Sequence, residues 1–328
     1  MTQQPEPGEG MTRLGIFVTH PIQYFAPMWR ALAAAPGLEL SVHFFSDHSV
    51  AGGVDPGFKV AVSWDVPLLD GYGHEFIRRD GDLAAPRSMA LPDARERITP
   101  EHFDVVMIHG YMYAFERQVL RAARADGVRV LMRGELNDLD PIGGRSRVKV
   151  LLRDLYLRWF YAQVDLFCYM DEEARRHLLR LGVPESKLFF SPYSVDSALF
   201  EEQRQSTTRG EARAALGIDD DARVLLFSGK LITRKAPMLL CEALKRSAHP
   251  EKVVLIVLGE GEEREAFERE ARALLGDRLL MPGFVNQSQL GPYFVAADVF
   301  VMPSLLETWG LVVDEAMHFG LPVVTGSM

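Results

Sequence analysis

Two Rossmann-like, doubly wound parallel-sheet α/β domains in tandem are the fold class this sequence predicts, on three observations. Short runs of branched and aromatic apolar residues alternate with helix-period segments along nearly the whole chain, the signature of strand–helix–strand units and a parallel sheet. One polar stretch, EEQRQSTTRGEAR over 201–213, interrupts that alternation before a second series begins. The length, 328 residues, suits two domains at about 150 residues each.

The elements follow in order. LGIFVT (14–19) reads as a strand, HPIQYFAP as a loop and MWRALAAA (28–35) as a helix. LELSVHFFS (38–46), DVVMIHG (104–110) and VRVLMRGE (128–135) are further strands, with YAFERQVLRAARADG (113–127) a helix that ends on its glycine. DLFCYMDEEARRHLLRLG (165–182) supplies one more strand and helix, and SPYSVD (191–196) with the polar stretch breaks the pattern as a connection does. The second series has strands ARVLLFSG (222–229), KVVLIVLGEG (252–261), RLLMPGF (278–284), DVFVMPS (298–304) and PVVTG (322–326). Its helices are MLLCEALKRSA (238–248), EREAFEREARALLG (263–276) and LVVDEAMHFG (311–320). The expected boundaries are a disordered tail over 1–10, a first domain over 11–190, a hinge over 191–210 and a second domain over 211–328. Two such units place a cleft between the carboxyl ends of their sheets.

Composition narrows the function. A hydrophobic content of 48% with 25% charged residues is that of an ordinary soluble protein. With 36 basic against 45 acidic residues the net charge is −9, which argues against nucleic acid as a partner. Cys168 and Cys241 have no spacing of a metal site or disulfide framework and read as buried thiols. The polar, acidic start lacks the apolar stretch of a signal peptide, and the expected location is the cytoplasm. One segment stands apart: residues 145–161 mix Arg145, Arg147, Lys149, Arg153 and Arg158 with leucines, Trp159, Phe160 and Tyr161. It is a candidate for peripheral contact with the inner face of an anionic membrane. A helix packed on its own sheet with solvated arginines is the plainer reading.

The stretch 303–324, PSLLETWGLVVDEAMHFGLPVV, carries the most chemistry. Glu307 and Glu315 flank Gly310, which opens a helix. On a continuous helix their spacing amounts to ~12 Å of rise and an ~80° turn, so the carboxylates would grip two ends of one elongated ligand. The helix start at Trp309, Gly310 and Leu311 offers backbone N–H groups to a phosphate. In FSGKLITRKAP (227–237), Gly229 permits close backbone approach, while Lys230, Arg234 and Lys235 supply cations where the sheet's ligand crevice opens.

These residues resemble the retaining glycosyltransferases of family 4, enzymes of the GT-B fold. The resemblance rests on Glu307 to Glu315, the GKL and RK loop, LGEGEERE ending at Glu265, PGFV (282–285) and the hinge-like SPYSVD. It implies a sugar transferred from a nucleotide-diphosphate sugar to a hydroxyl acceptor, without a metal or other cofactor and with retention of configuration. The acceptor could be a glycan, a lipid-linked molecule or a small molecule. Glu315 would then hold the ribose hydroxyls, Glu307 the donor sugar, Lys230 and Lys235 the diphosphate, and Phe284 and Val285 the nucleobase. The first domain would take the acceptor through His20, Gln23, His109 and Glu135, with Arg133 lending charge to catalysis. Relatives carry a histidine near Arg133 and Asn in place of Asp314, and small residues where His318 and Phe319 stand; bulk there is expected to crowd the helix. Such enzymes continue beyond PVVTG, so the second domain reads as truncated. The alternatives are a nucleotide-sugar epimerase of similar fold and a non-catalytic nucleotide-sugar binder. A nicotinamide dehydrogenase is disfavoured, because HPIQYF follows the first strand where a glycine-rich phosphate loop would stand.

Overall fold

The computed structural model describes residues 10–54, 61–77, 89–138 and 146–326. All of the expected tail but Gly10, together with Arg145 of the basic run, lies outside the described residues. The chain divides into two compact units, one made of Met1–Ala51 and Pro67–Tyr193, the other of Gly52–Val66 and Ser194–Met328.

The first unit is built on a seven-stranded parallel sheet. Its strands are β1 (Thr12–Val18), β2 (Leu38–Phe44), β5 (Gly73–Phe76), β6 (Val105–Ile108), β7 (Arg129–Arg133), β8 (Leu166–Tyr169) and β9 (Leu188–Phe190), in the order β5-β2-β1-β6-β7-β8-β9. A two-residue hairpin, β3 (Gly53–Val54) with β4 (Ala61–Val62), belongs to the second unit. Helices α1 (Ala26–Ala33), α2 (His48–Ala51), α3 (Ala94–Arg97), α4 (Ala114–Asp126), α5 (Arg147–Tyr161) and α6 (Glu172–Arg180) fill the crossovers. Both sheet faces are covered. Trp29, Phe44 and Val42 pack on one side, and Phe115, Val119, Phe160 and Phe167 on the other.

The second unit repeats the plan with five parallel strands: β10 (Arg223–Ser228), β11 (Val253–Leu258), β12 (Leu279–Gly283), β13 (Val299–Met302) and β14 (Val323–Thr325), ordered β12-β11-β10-β13-β14. Its helices are α7 (Ser197–Gln205), α8 (Arg209–Ala215), α9 (Met238–Lys245), α10 (Arg264–Leu275), α11 (Gly291–Ala296) and α12 (Leu311–His318). The central strand β11, VVLIVL, is buried along nearly its whole length, as expected of a parallel strand covered on both faces.

An aspartate ahead of three strands sets their register. Asp104 precedes β6, Asp165 precedes β8 and Asp298 precedes β13. Each donates its backbone N–H to a neighbouring strand and accepts that strand's N–H on its carboxylate, through Arg13, Val130 and Val224 respectively. All three sit at the amino ends of the strands, leaving the carboxyl ends to the loops that carry chemistry.

The polar stretch read as a connection is largely helical. Asp196 caps α7 by accepting the Leu199 N–H, and Thr208 with Glu211 forms a capping box for α8. Its polar residues satisfy the first-turn N–H groups. Gln203, on α7, binds both Gln287 O and the Gly291 N–H, which ties α7 to the start of α11.

Candidate functional site

In each sheet the strand order reverses beside the first strand of the series, between β1 and β6 and between β10 and β13. Ligand crevices in doubly wound sheets open at the carboxyl ends of such a pair. Those ends carry His20 and His109 in the first unit, and Gly229, Lys230 and Glu307 in the second.

In the second unit, loops from adjacent strands lock together. The Gly229 N–H donates to Leu258 O, the Leu231 N–H to Glu260 O and the Glu263 N–H to Leu231 O, at 2.8–2.9 Å. Gly259 allows this approach: its φ is +149°, and a Cβ there would lie 1.9 Å from Gly229 O. After Leu231 the chain makes a 3-10 turn over Thr233–Lys235, closed by Ala236 at φ +48°. That turn receives the loop after β13, where the Leu305 N–H donates to Arg234 O at 2.9 Å. The Lys235 ammonium thereby reaches the Glu307 carboxylate and forms an ion pair with it, both side chains being largely enclosed. Ser304 Oγ stands beside the same carboxylate oxygen at 3.5 Å.

Glu307 lies in the loop before α12, while Glu315 lies inside that helix, so the helical offset expected between them does not apply. Glu315 is 3% exposed. Gly310, at φ +83°, is the N-cap of α12 and accepts the Val313 N–H at 2.7 Å, while the earliest N–H groups of a helix have no acceptor within it. Trp309 donates its indole N–H to Asp314 at 2.8 Å, which orients the indole across that helix start. His318 and Phe319 do not crowd the helix. His318 bonds Ser197 Oγ at 2.9 Å, and Phe319 packs on Phe200 and Phe294.

Phe284 and Val285 follow β12. A segment from early in the chain covers them: the Trp64 ring meets Phe284 edge-on at 5.8 Å, Asn286 donates to Ser63 O at 2.6 Å, and the Asp65 carboxylate accepts from Ser288. Nothing in the sequence signals this pairing, which joins residues more than two hundred positions apart with no shared motif.

In the first unit, Arg133 at the end of β7 is 3% exposed. Its guanidinium lies 4.7 Å from the Tyr193 ring centre and 5.5 Å from that of Phe25. Among the described residues it makes only long contacts, 3.3–3.5 Å, to Ser191 and Pro192, and Nη1 has no hydrogen-bond partner there. Burial lowers its pKa from the usual value. Beside it, His109 is half-buried against Phe25, with Nε2 enclosed and likewise unpartnered among the described residues. Desolvation, reinforced by the Arg133 charge, holds the imidazole neutral down to about pH 3. Gly134 allows the two strand ends to meet, since a Cβ there would stand 2.2 Å from His109 O.

Tyr193 belongs to the SPYSVD segment but is not singled out by the sequence as a site residue, nor is Phe25, yet both rings enclose Arg133, and Phe25 also packs on His109. Glu135 is exposed and its charge acts on Tyr193. His20 instead bonds Thr19 at 2.9 Å and faces the His48 ring, and Gln23 is half-buried in the same loop. Further along, Glu116 caps α4 by accepting the Tyr113 N–H, and burial raises its pKa to about 7. Cys241 is buried and Cys168 half-buried, and both are free thiols.

Two α/β units, each carrying loops of this kind at its strand-order reversal, define the GT-B class. Residues 21–194 match the family described as glycosyl transferase 4-like domain, and residues 208–328 match glycosyl transferases group 1; the chain belongs to this glycosyltransferase family. The D-inositol 3-phosphate glycosyltransferase of Xylanimonas cellulosilytica is 34% identical over 175 residues, covering 51% of this chain and 42% of that protein. The match therefore spans less than half of that relative. HepE from Anabaena, solved with UDP and glucose, superposes with a TM-score of 0.65 at 16% identity, over 96% of this chain and 80% of its own. Sucrose-phosphate synthase from Thermosynechococcus elongatus gives 0.64 at 19%, over 96% and 81%. At these identities the likeness is one of fold.

Proposed function

We propose that the chain transfers a sugar from a nucleotide-diphosphate sugar to a hydroxyl acceptor, with retention at the anomeric carbon and without a metal. The observation that carries this reading is the Lys235–Glu307 ion pair beside the start of α12 and the buried Glu315. An ammonium, a carboxylate and a row of backbone N–H groups are thereby gathered at one sheet end. They match two parts of such a donor: the ammonium and the N–H groups suit the diphosphate, and the carboxylate suits the sugar hydroxyls.

On donor binding the diphosphate takes Lys235, with Lys230 beside it, and the sugar hydroxyls take Glu307, so each member of the pair exchanges one partner for another. Trp309, Gly310 and Leu311 face the phosphates, Glu315 accepts from the ribose, and Gly229 lets the backbone approach. Phe284 and Val285 border the base. His20, Gln23 and Glu135 hold the acceptor. Arg133 adds positive charge, and His109 lies beneath it as a neutral support.

The acceptor oxygen bonds to the anomeric carbon on the face from which the diphosphate oxygen departs. The acceptor proton passes to that leaving oxygen. The protein's largest contribution is charge fixed in advance where the leaving group becomes negative.

Thermal melting with UDP, GDP and ADP, beside Glu315→Ala, tests the reading. A nucleotide at a hundred times its dissociation constant adds about 2.7 kcal/mol to stability. The variant is expected to lose about 1.5–3 kcal/mol of nucleotide affinity. No nucleotide response from the folded chain would defeat the donor assignment. A donor sugar that isomerises without consuming acceptor would defeat the transfer reaction.

A further inference from the structure

Helix α5, fifteen residues long, is attached to its unit by one face only: Leu157, Phe160 and Tyr161 are buried, and Arg153 and Asp154 engage Asp138 and Arg180. The opposite face carries Val148, Leu151, Leu152, Leu155, Tyr156 and Trp159, whose spacing repeats every three and four residues along one stripe. The first four and Trp159 are 53–64% exposed, and Tyr156 36%. A continuous apolar stripe of this kind on a water-facing helix marks a contact surface.

Its rim is basic. Arg147, Lys149 and Arg158 on the helix are exposed, and so is Arg121 of α4, whose charge acts on Tyr156. The one acidic residue of α5, Asp154, is spent on Arg153 and Arg180 on the attached side. This positive rim stands on a chain whose net charge is −9.

The charge pattern distinguishes the occupants. A two-fold contact with a second copy would lay the stripe on itself and bring basic rim against basic rim. An anionic lipid surface accepts the same arrangement favourably: the leucines and Trp159 enter the acyl boundary while the arginines and lysine remain among the headgroups.

We propose that α5 is a membrane-docking face that lies flat on a bilayer rich in anionic phospholipid, holding the first unit at the surface without crossing it. No helix among the described residues is long and apolar enough to span a membrane. The proposal is independent of the sugar-transfer reading, since it concerns where the chain resides and can be tested without a donor.

Co-sedimentation of the full chain with vesicles of phosphatidylcholine alone, and of phosphatidylcholine mixed with phosphatidylglycerol, provides the test. The expected result is binding to the mixed vesicles only, weakened by salt. A blue shift of tryptophan emission should accompany it and disappear in Trp159→Phe. Leu151→Ser with Leu155→Ser should weaken binding by about tenfold or more, and Arg147→Ser with Lys149→Ser by about fivefold for each charge removed. Because these side chains face water, the melting temperature of each variant serves as the control for folding. Failure to bind either vesicle, binding unaffected by the leucine and basic-residue changes, or concentration-dependent self-association abolished by the leucine changes would each overturn the proposal.

Discussion

The two units solve the same structural problem with opposite electrostatics. At the carboxyl end of the second sheet the charges are balanced within the protein, Lys235 against Glu307. At the corresponding end of the first sheet a buried guanidinium has, among the described residues, no carboxylate in contact, only two aromatic rings and long bonds to backbone and Ser191. Breaking a largely enclosed ion pair leaves a charge behind, whereas removing an uncompensated buried charge relieves a desolvation penalty. The two sites should therefore answer the same kind of substitution with changes of opposite sign.

The largest effect tests what the units share. Gly259→Ala would place a Cβ on the Gly229 carbonyl, and Gly134→Ala would do the same to that of His109. Each is expected to destabilise the chain by at least about 3 kcal/mol in urea unfolding. A cost below about 1 kcal/mol at either position would mean that its loops are not rigidly joined.

Next is a pH effect peculiar to the first unit. Glu116 has its pKa raised to about 7 from 4.5, so the folded state binds its proton more tightly than the unfolded state. Its contribution is fully present below the unfolded value and is lost as pH rises toward 7. His109 has its pKa lowered to about 3 from 6.5, and its contribution is lost as pH falls below 6.5. Between roughly pH 4.5 and 6.5 the slopes oppose each other at about 1.4 kcal/mol per pH unit. Glu116→Gln should expose the His109 slope, so that the variant loses stability relative to the parent as pH falls across this window. Parallel curves for parent and variant in urea unfolding would remove the titration of Glu116.

Arg133→Met keeps the length of the side chain and discards its charge. Stability is expected to stay level or rise by up to about 1–4 kcal/mol, read from the urea midpoint. Lys235→Met should show the contrary sign, a loss of about 1 kcal/mol, because Glu307 is left without its cation. If both substitutions destabilise equally, the contrast between the units does not hold.

Much of the frame was legible in advance. Strand and helix positions follow from the apolar runs, with ends within a few residues, because buried parallel strands such as VVLIVL must be apolar throughout. Several of the elements missed lack a buried apolar pattern. Strand β5, GHEF, is mostly exposed, and β9 turns Phe189 and Phe190 to solvent, so neither shows the burial pattern on which such reading depends. Helices α7 and α8 were hidden by their polarity, although Thr208 and Glu211 carry the spacing of a capping box.

The site was legible in part. Motif residues 229–235 and 307–315 could be named, yet the Lys235–Glu307 pair could not, being made by a turn from one strand end meeting a loop from another. The Phe25 and Tyr193 enclosure of Arg133 was equally out of reach. Aromatic residues at a helix start and in a connection have no local feature that tells of a shared neighbour.

The early segment that covers Phe284 has a consequence for how the chain acquires its shape during synthesis. Asn286 meets Asp65 and Ser63 across 221 and 223 positions. At 5–20 residues per second, the ribosome completes that partner roughly 10–45 s after the segment has emerged. Ser63, Trp64 and Asp65 must therefore wait while the residues on both sides of them fold into the first unit. The second unit cannot close over Phe284 until Asn286 has been made, and Trp64 fluorescence on a stalled nascent chain would report that moment.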